Sequence, residues 1–530
     1  MERMTSGFCA VFVLVLWAAL LLLGGGRNPY ILAAACVPLA AVAGFGGVSL
    51  SNIALLWLLW LGVTVLFAAE PLAALGVFAV WLAGFMLYGI AAKSSSAVGE
   101  KNVLRVVTIA GYALALGVIL LRLLGIEPSL YILPPNQNYA AALIASGFAA
   151  GLSFLFRADY PAANKKKMAL FLLLPAASVF VLHSRSGFFA MVFAAAVILW
   201  LNGLKKTAIA GLALPAIVLM LAPDFILKSH DAFSFSRPVI WTTALSAAFH
   251  NPVFGVGPGG FENAYMQYSA PVFNGISYYW HYTPHAHNQL LQFAAETGVV
   301  GLALYLAFFV AVFRRAALGA KYGYAAVLTA LFAASFFEGV FMLPAVLFLM
   351  FIIAGFADEG RDTRGGCVLA FVMLAGLSVF SFGRASIKVH PKTAELYAMR
   401  GEAELLRPQA EPYRALELFS RAAFLSPHNA VYKYQVGEIF LRLGAPASAR
   451  LWLNDAVRLE PNFLRAKASL AVCLLAQNNK PAAAAMLDDI DRRAAALSAL
   501  PARGYDALIA RRDTEKENFL RKSLIVTSAK

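Results

Sequence analysis

Apolar stretches long enough to cross a membrane recur along the first three quarters of this chain. A spanning helix needs about 20 mostly apolar residues. Segments of that kind lie near 8–24, 30–47, 51–69, 71–92, 103–125, 139–156, 168–183, 187–203, 207–223, 298–313, 323–338, 341–357 and 366–383, giving 12–13 spans. Hydrocarbon offers the backbone no hydrogen-bond partner, so open sheet is excluded there and an all-α polytopic bundle is expected. Composition agrees: 61% of residues are hydrophobic, 13% are charged and mean hydropathy is +0.71, whereas soluble domains are roughly half apolar. The charged start and the apolar run to Leu23 resemble a signal peptide. However, GGGRNPY carries no small-residue cleavage site and a second apolar run follows at once, so a retained first span is expected.

A net charge of +15 could indicate nucleic acid, but the basic residues sit largely in short loops between apolar segments, where they set topology. With a cytoplasmic N-terminus, fourteen Lys and Arg fall in inside loops. The outside loops hold only Arg27, Arg185, Lys228 and Arg237. This bias places the long 224–297 loop outside the cytoplasm and excludes nucleic-acid binding. Cys9, Cys36, Cys367 and Cys473 form no close pair, so neither a disulfide framework nor a zinc site is expected.

After residue 384 the chain becomes soluble in character, dividing it into a membrane domain over 1–383 and a helical domain over 384–530. Here ALELFSRAAFLSPHN (415–429) aligns with ARLWLNDAVRLEPNF (449–463) at a spacing of 34 residues, and Ala415, Ala449 and Ala483 keep the same step. The period resembles the tetratricopeptide repeat, a helix pair that stacks into an α-solenoid. Flanking helices near 393–406 and 481–498 would complete a short array. An odd number of spans puts it outside the cytoplasm, where it either binds a protein partner or braces the membrane domain.

Four places could carry chemistry. Arg185 lies in the break HSRS between two apolar segments, where an ionisable side chain needs a partner or water. Its planar fork suits phosphate, and a snorkelling loop arginine would also fit. Arg237 opens a helix in FSRPVIWTTA. The following GVGPGG matches G-x-G-x-x-G only formally: no strand precedes it and Pro258 interrupts it, so it reads as a tight turn. Asn136 and Asn138 in PPNQNYAAAL fit a helix cap or a ligand contact, and Arg122 fits a phosphate ligand or a snorkelling side chain. In YYWHYTPHAHNQLLQFAAETGVVG, three of the eight histidines, His281, His285 and His287, precede an apolar helix. Pro284 prevents a regular helix through the i, i+4 pair and no HExxH glutamate is present, so no metal is expected. A neutral imidazole can instead act as a general base. His287 is the candidate, with Asn288 starting the helix, His285 beside it and Glu296 further along; His281 reads as loop polarity.

The order PPNQNYAA, SRSG, SRPVIWTTA, NPVFGVGPGGF and HAHNQLLQFAAETGVVGLALYL, over residues 50–355, resembles the O-antigen ligase and polymerase superfamily, which includes pilin-type O-oligosaccharyltransferases. That resemblance implies a GT-C-like bundle in the bacterial inner membrane with its catalytic loop at the periplasmic face. It implies transfer of a glycan from a polyprenyl-diphosphate donor to a lipid A-core, glycan or protein hydroxyl, with ligase ahead of polymerase and protein glycosylation. His287 matches the family's loop histidine, and Arg185 and Arg237 match its donor-diphosphate arginines. His285, Asn288, Arg122, Asn138 and Glu296 are supporting candidates. No cofactor or metal is called for, and a single displacement would invert the anomeric centre. The appended span and repeat domain depart from the core pattern and leave the acceptor open. A polysaccharide or lipid transporter is the rival class, but midplane-broken inverted repeats are not evident.

Overall fold

The computed structural model describes residues 2–68, 71–127, 136–222, 225, 236–268, 283, 285–358, 376, 379, 391–425, 429–498 and 505–525. Among these residues there are helices and connections but no strand, so the chain is all-α. The chain divides into two compact units. One comprises Met1–Ser234, Ala247–Phe261 and His285–Ser381; the other comprises Phe235–Ser246, Glu262–Pro284 and Phe382–Lys530.

The first unit opens with α1 (Glu2–Leu22), α2 (Pro29–Gly46), α3 (Asn52–Phe67), α4 (Pro71–Lys93), α5 (Glu100–Leu123) and α6 (Gln137–Ser153). It continues with α7 (Ala162–Phe171), α8 (Leu173–Val181), α9 (Arg185–Leu201), α10 (Lys205–Gly211) and α11 (Leu214–Leu221). Helix α12 (Ser236–His250) divides between the units and α13 (Phe261–Tyr268) lies mostly in the second, whereas α14 (Gln289–Leu318), α15 (Tyr322–Phe337) and α16 (Pro344–Ala357) belong to the first. Among the described residues, four helices are long and apolar enough to cross a membrane: Pro71–Lys93, Glu100–Leu123, Gln137–Phe156 and Gln289–Leu318. Six shorter apolar helices accompany them. The chain is thus a multi-pass membrane protein. Two expected spans are locally interrupted, their junction residues Leu172, Leu212 and Ala213 staying in the right-handed helical region. Segment 168–183 falls on α7 and α8, and segment 207–223 on α10 and α11, where Pro215 stands in the first turn of α11. Proline lacks an N–H and is accommodated at a helix start, so it marks a new helix there. The expected span 366–383 lies outside the described residues except for positions 376 and 379.

Two packing features position the site. Helix α16 is buried along its whole length, as expected of a helix apolar all round. Trp81, Phe85, Phe293, Tyr305, Phe308 and Phe351 pack ring on ring around Trp57, joining α3, α4, α14 and α16. Helix α6 is rich in Ala and Gly, and small residues let helices approach closely without a hydrophobic drive from lipid. A Cβ at Gly147 would sit 2.7 Å from the Gly111 Cα of α5, and one at Gly187 of α9 would sit 2.7 Å from the Ala141 Cβ of α6. Helices α5, α9 and α15 all pack on α6. This close packing brings the starts of α6 and α9 to the end of α15. At the far end of α14, Asp358 accepts from the Tyr88 hydroxyl and Arg315, and the Ser51 hydroxyl lies 2.9 Å from the Tyr88 oxygen, to which it can donate.

The second unit contains α17 (Pro391–Leu405), α18 (Pro412–Leu425), α19 (Ala430–Arg442), α20 (Pro446–Leu459), α21 (Leu464–Ala476), α22 (Lys480–Ser498), α23 (Tyr505–Ala510) and α24 (Thr514–Ile525). Successive helices pack in pairs and each pair on the next. The 34-residue period is visible in side-chain contacts. Lys433 reaches Asp455 at 2.8 Å and Lys467 reaches Asp489 at 2.5 Å, with Arg458 and Arg492 pairing with the same two aspartates. All three positions shift by 34. Lys516 of α24 reaches back to Glu438 of α19 at 2.8 Å and Ser469 of α21 at 3.0 Å, so the last helix lies across two of these pairs. Pro427, which falls opposite Pro461 in the two aligned segments, lies outside the described residues.

Candidate active site

The start of α14 is built by its own polar residues. Asn288 caps it, its side chain accepting from the amides of Leu290 at 2.9 Å and Leu291 at 3.1 Å. Gln292 reaches back to accept from the Ala286 amide at 2.6 Å. These bonds satisfy helix-start donors that would otherwise be orphaned. They also leave His287 in the left-handed region with φ 48°, which His adopts more readily than most residues. Its ring is thereby directed at Glu338, just beyond α15, whose Oε1 pairs with His287 Nδ1.

Glu338 is 4% exposed, and its hydrogen bonds account for its burial. The Gly339 amide donates to Oε1 at 3.2 Å, and Asn138 Nδ2 donates to Oε2 at 2.7 Å. Asn138 turns its oxygen the other way, accepting from Ser184 Oγ at 3.0 Å and Ser186 Oγ at 3.4 Å. Ser184 also caps α9, accepting the Gly187 amide at 3.3 Å. A continuous chain therefore runs from the serines beside Arg185, through Asn138 and Glu338, to His287. Each donor points towards Glu338, an arrangement that suits a carboxylate, which only accepts. Nδ1 of His287 is then the donor, and in the neutral tautomer that this selects Nε2 keeps a lone pair.

The two glycine motifs form one brace behind this site. Gly298 interrupts α14 with φ 70° and ψ −177°, a conformation essentially restricted to glycine. The interruption frees three carbonyls. The Val256 amide donates to Ala295 and the Gly257 amide to Glu296, both at 2.9 Å, while Trp60 Nε1 donates to Thr297 at 2.9 Å. Val299 returns a bond to Pro252 at 2.8 Å. A Cβ at Gly298 would overlap the Val253 carbonyl, and one at Gly255 would overlap the Glu296 backbone. GVGPGG is a tight turn pressed on this kink.

Among the positions singled out from sequence, His287, Asn138 and the serines flanking Arg185 come together. Arg185 is the first residue of α9 and half-buried. The His285 ring lies 6.3 Å from that of His287. Asn288 is the helix cap. Glu296 is buried and faces the brace, taking bonds from Gln292 at 2.8 Å and the Phe261 amide at 3.3 Å. Asn136, not Asn138, caps α6. Arg122 ends α5, is 61% exposed and lies 3.6 Å from Glu127. Arg237 is in the first turn of α12, half-buried in the second unit. His281 lies outside the described residues. Sequence reasoning missed Glu338. Its signal was available: FFEGV places a carboxylate in the break between two apolar segments, where an ionisable group is costly without a role.

No curated protein matches the chain. Residues 169–306 match the family model described as O-Antigen ligase. That stretch contains Arg185, Arg237 and His287 and excludes Asn138 and Glu338.

Proposed function

We propose, from the premise that this chain belongs to the O-antigen ligase superfamily, that it moves a glycan from a polyprenyl-diphosphate carrier to an acceptor hydroxyl. The reaction takes place at the periplasmic face of a bacterial inner membrane. The observation that carries this reading is the His287–Glu338–Asn138 chain. A buried carboxylate on Nδ1 orients the imidazole and stabilises the imidazolium, leaving Nε2 to accept a proton from the acceptor. The acceptor oxygen forms its bond to the anomeric carbon as the bond from that carbon to the diphosphate oxygen breaks, and the configuration inverts. Negative charge builds on the leaving diphosphate, where Arg185 and Arg237 act as ligands. The base and the two guanidiniums supply both requirements without a metal or nucleotide. Lysine and arginine bias supports the orientation. The 34-residue helix pairs support a tetratricopeptide-like array over 384–530 that selects an acceptor or an assembly partner. Ligase activity, with a lipid A-core acceptor, leads; polymerisation and protein O-glycosylation differ only in the acceptor.

Reconstitution of the full chain in proteoliposomes with a polyprenyl-diphosphate glycan and a panel of acceptors tests the reading. A covalent glycan–acceptor product of the summed mass, with inverted anomeric linkage, is expected. Movement of the donor lipid across the bilayer with no transfer to any acceptor would make the protein a transporter.

A further inference from the structure

We infer that Asn138 is a positioning residue that couples the base to the helix carrying Arg185. The inference rests on the base reading of His287. The amide has two ends and the surroundings use both in one orientation. Nδ2 donates to Glu338 Oε2 at 2.7 Å, while Oδ1 accepts from Ser184 at 3.0 Å and Ser186 at 3.4 Å. Reversing the amide would set its oxygen against the carboxylate, so the serines fix which end faces Glu338. Ser184 and Ser186 lie 3.1 Å apart and stand on either side of Arg185 at the start of α9. One hydrogen-bond chain thus aims the imidazole and seats the first turn of the helix that bears the arginine.

The bond from Asn138 also sets how strongly Glu338 holds a proton on its neighbour. An N–H donated to Oε2 shares the carboxylate charge, which weakens its hold on a protonated imidazole. Removing the donor strengthens that hold, and the base then needs higher pH to become available. Titratable and charged groups near the pair include His285, at 6.3 Å between ring centroids, and Tyr139 on α6, within electrostatic reach of Glu338 and Arg27. The variants below leave them in place.

The test is the pH–rate profile of transfer by the full-length chain in proteoliposomes. Asn138→Ala should lower kcat about tenfold or more, change the donor KM less than about twofold and move the acidic limb up by about half a pH unit. Asn138→Asp keeps the shape and the acceptor oxygen but sets a second carboxylate beside Glu338. An acidic residue suits the first turn of α6, yet this variant should move the limb further, by about one unit or more. Ser184→Ala/Ser186→Ala retains the amide and should move it less than either. An acidic limb that stays in place in both Asn138 variants, or a rate that falls equally at every pH, overturns the positioning role. Full transfer by His287→Ala would instead remove the base reading itself.

Discussion

A neutral imidazole has one nitrogen that donates and one that accepts, and at His287 Glu338 decides which is which. Its carboxylate can only accept, so in the neutral ring Nδ1 holds the proton and, in the proposed mechanism, Nε2 is the nitrogen that meets the acceptor hydroxyl. Glu338→Gln keeps the shape but removes the charge that stabilises the imidazolium. Transfer kcat should fall about 10- to 100-fold with donor KM nearly unchanged, as steady-state kinetics would show; an unchanged kcat would reduce Glu338 to a packing role. Arg185→Lys keeps the charge and loses the planar fork, so donor KM should rise while the acceptor dependence holds. At this scale the sequence was informative where a residue stood out against an apolar background, as His287 and Arg185 do. Glu338 is separated from His287 by 51 positions, and only the packing of α6, α9 and α15 brings the two together with Asn138.

Among the elements, the brace between the glycine turn and the α14 kink and the repeated ion pairs of the second unit make separate demands. Gly298→Ala forces a side chain into a glycine-only conformation and against the Val253 carbonyl. The strain alone is about 1–3 kcal/mol, so the thermal midpoint of the solubilised protein should fall and transfer should fall with it. Retention of both would mean that the turn and helix move apart freely. In the repeats, one contact occurs twice at different burial. Lys467 is 6% exposed and Lys433 12%, but their partners differ more: Asp489 is 16% exposed and Asp455 43%. Asp489→Ala should therefore cost about 3 kcal/mol, as expected for a buried pair broken on one side. Asp455→Ala should cost less than about 1 kcal/mol. Equal losses, read from hydrogen exchange across α19–α22, would contradict this account. Burial pushes the Asp489 carboxyl up, but hydrogen bonds from Lys467, Arg492 and Arg493 outweigh it and hold the group below the usual carboxylate range. Its folded-state pKa is depressed, so its contribution is fully present above the unfolded value near ~3.9 and is lost as pH falls towards the folded value. Protection of α19–α22 should hold from neutrality to about pH 4 and decline below it, and Asp489→Asn should flatten that decline. Helix positions were legible because apolar runs and the 34-residue step are periodic. The breaks at Leu172 and at Leu212–Ala213 escape hydropathy because runs 168–183 and 207–223 are apolar throughout, and for the second only Pro215 was a signal.

For the molecule as a whole, the apolar helices make a multi-pass membrane protein, and the O-antigen ligase match covers residues 169–306, ending within α14. The remaining question is how the chain selects an acceptor. The proposed donor ligands and base all lie outside residues 384–530, whereas a helical array offers surface to a second molecule. Deleting that region should change acceptor use or assembly more than donor affinity, as comparison of donor KM with product identity would reveal. The central claim is that His287 takes the proton of the acceptor hydroxyl. The most direct measurement is glycan transfer by His287→Ala in proteoliposomes containing the polyprenyl-diphosphate donor, with helix content and donor binding measured on the same preparation. The account predicts a folded protein that binds donor and forms no glycan–acceptor product above the no-enzyme background. Product formation at the wild-type rate would contradict it.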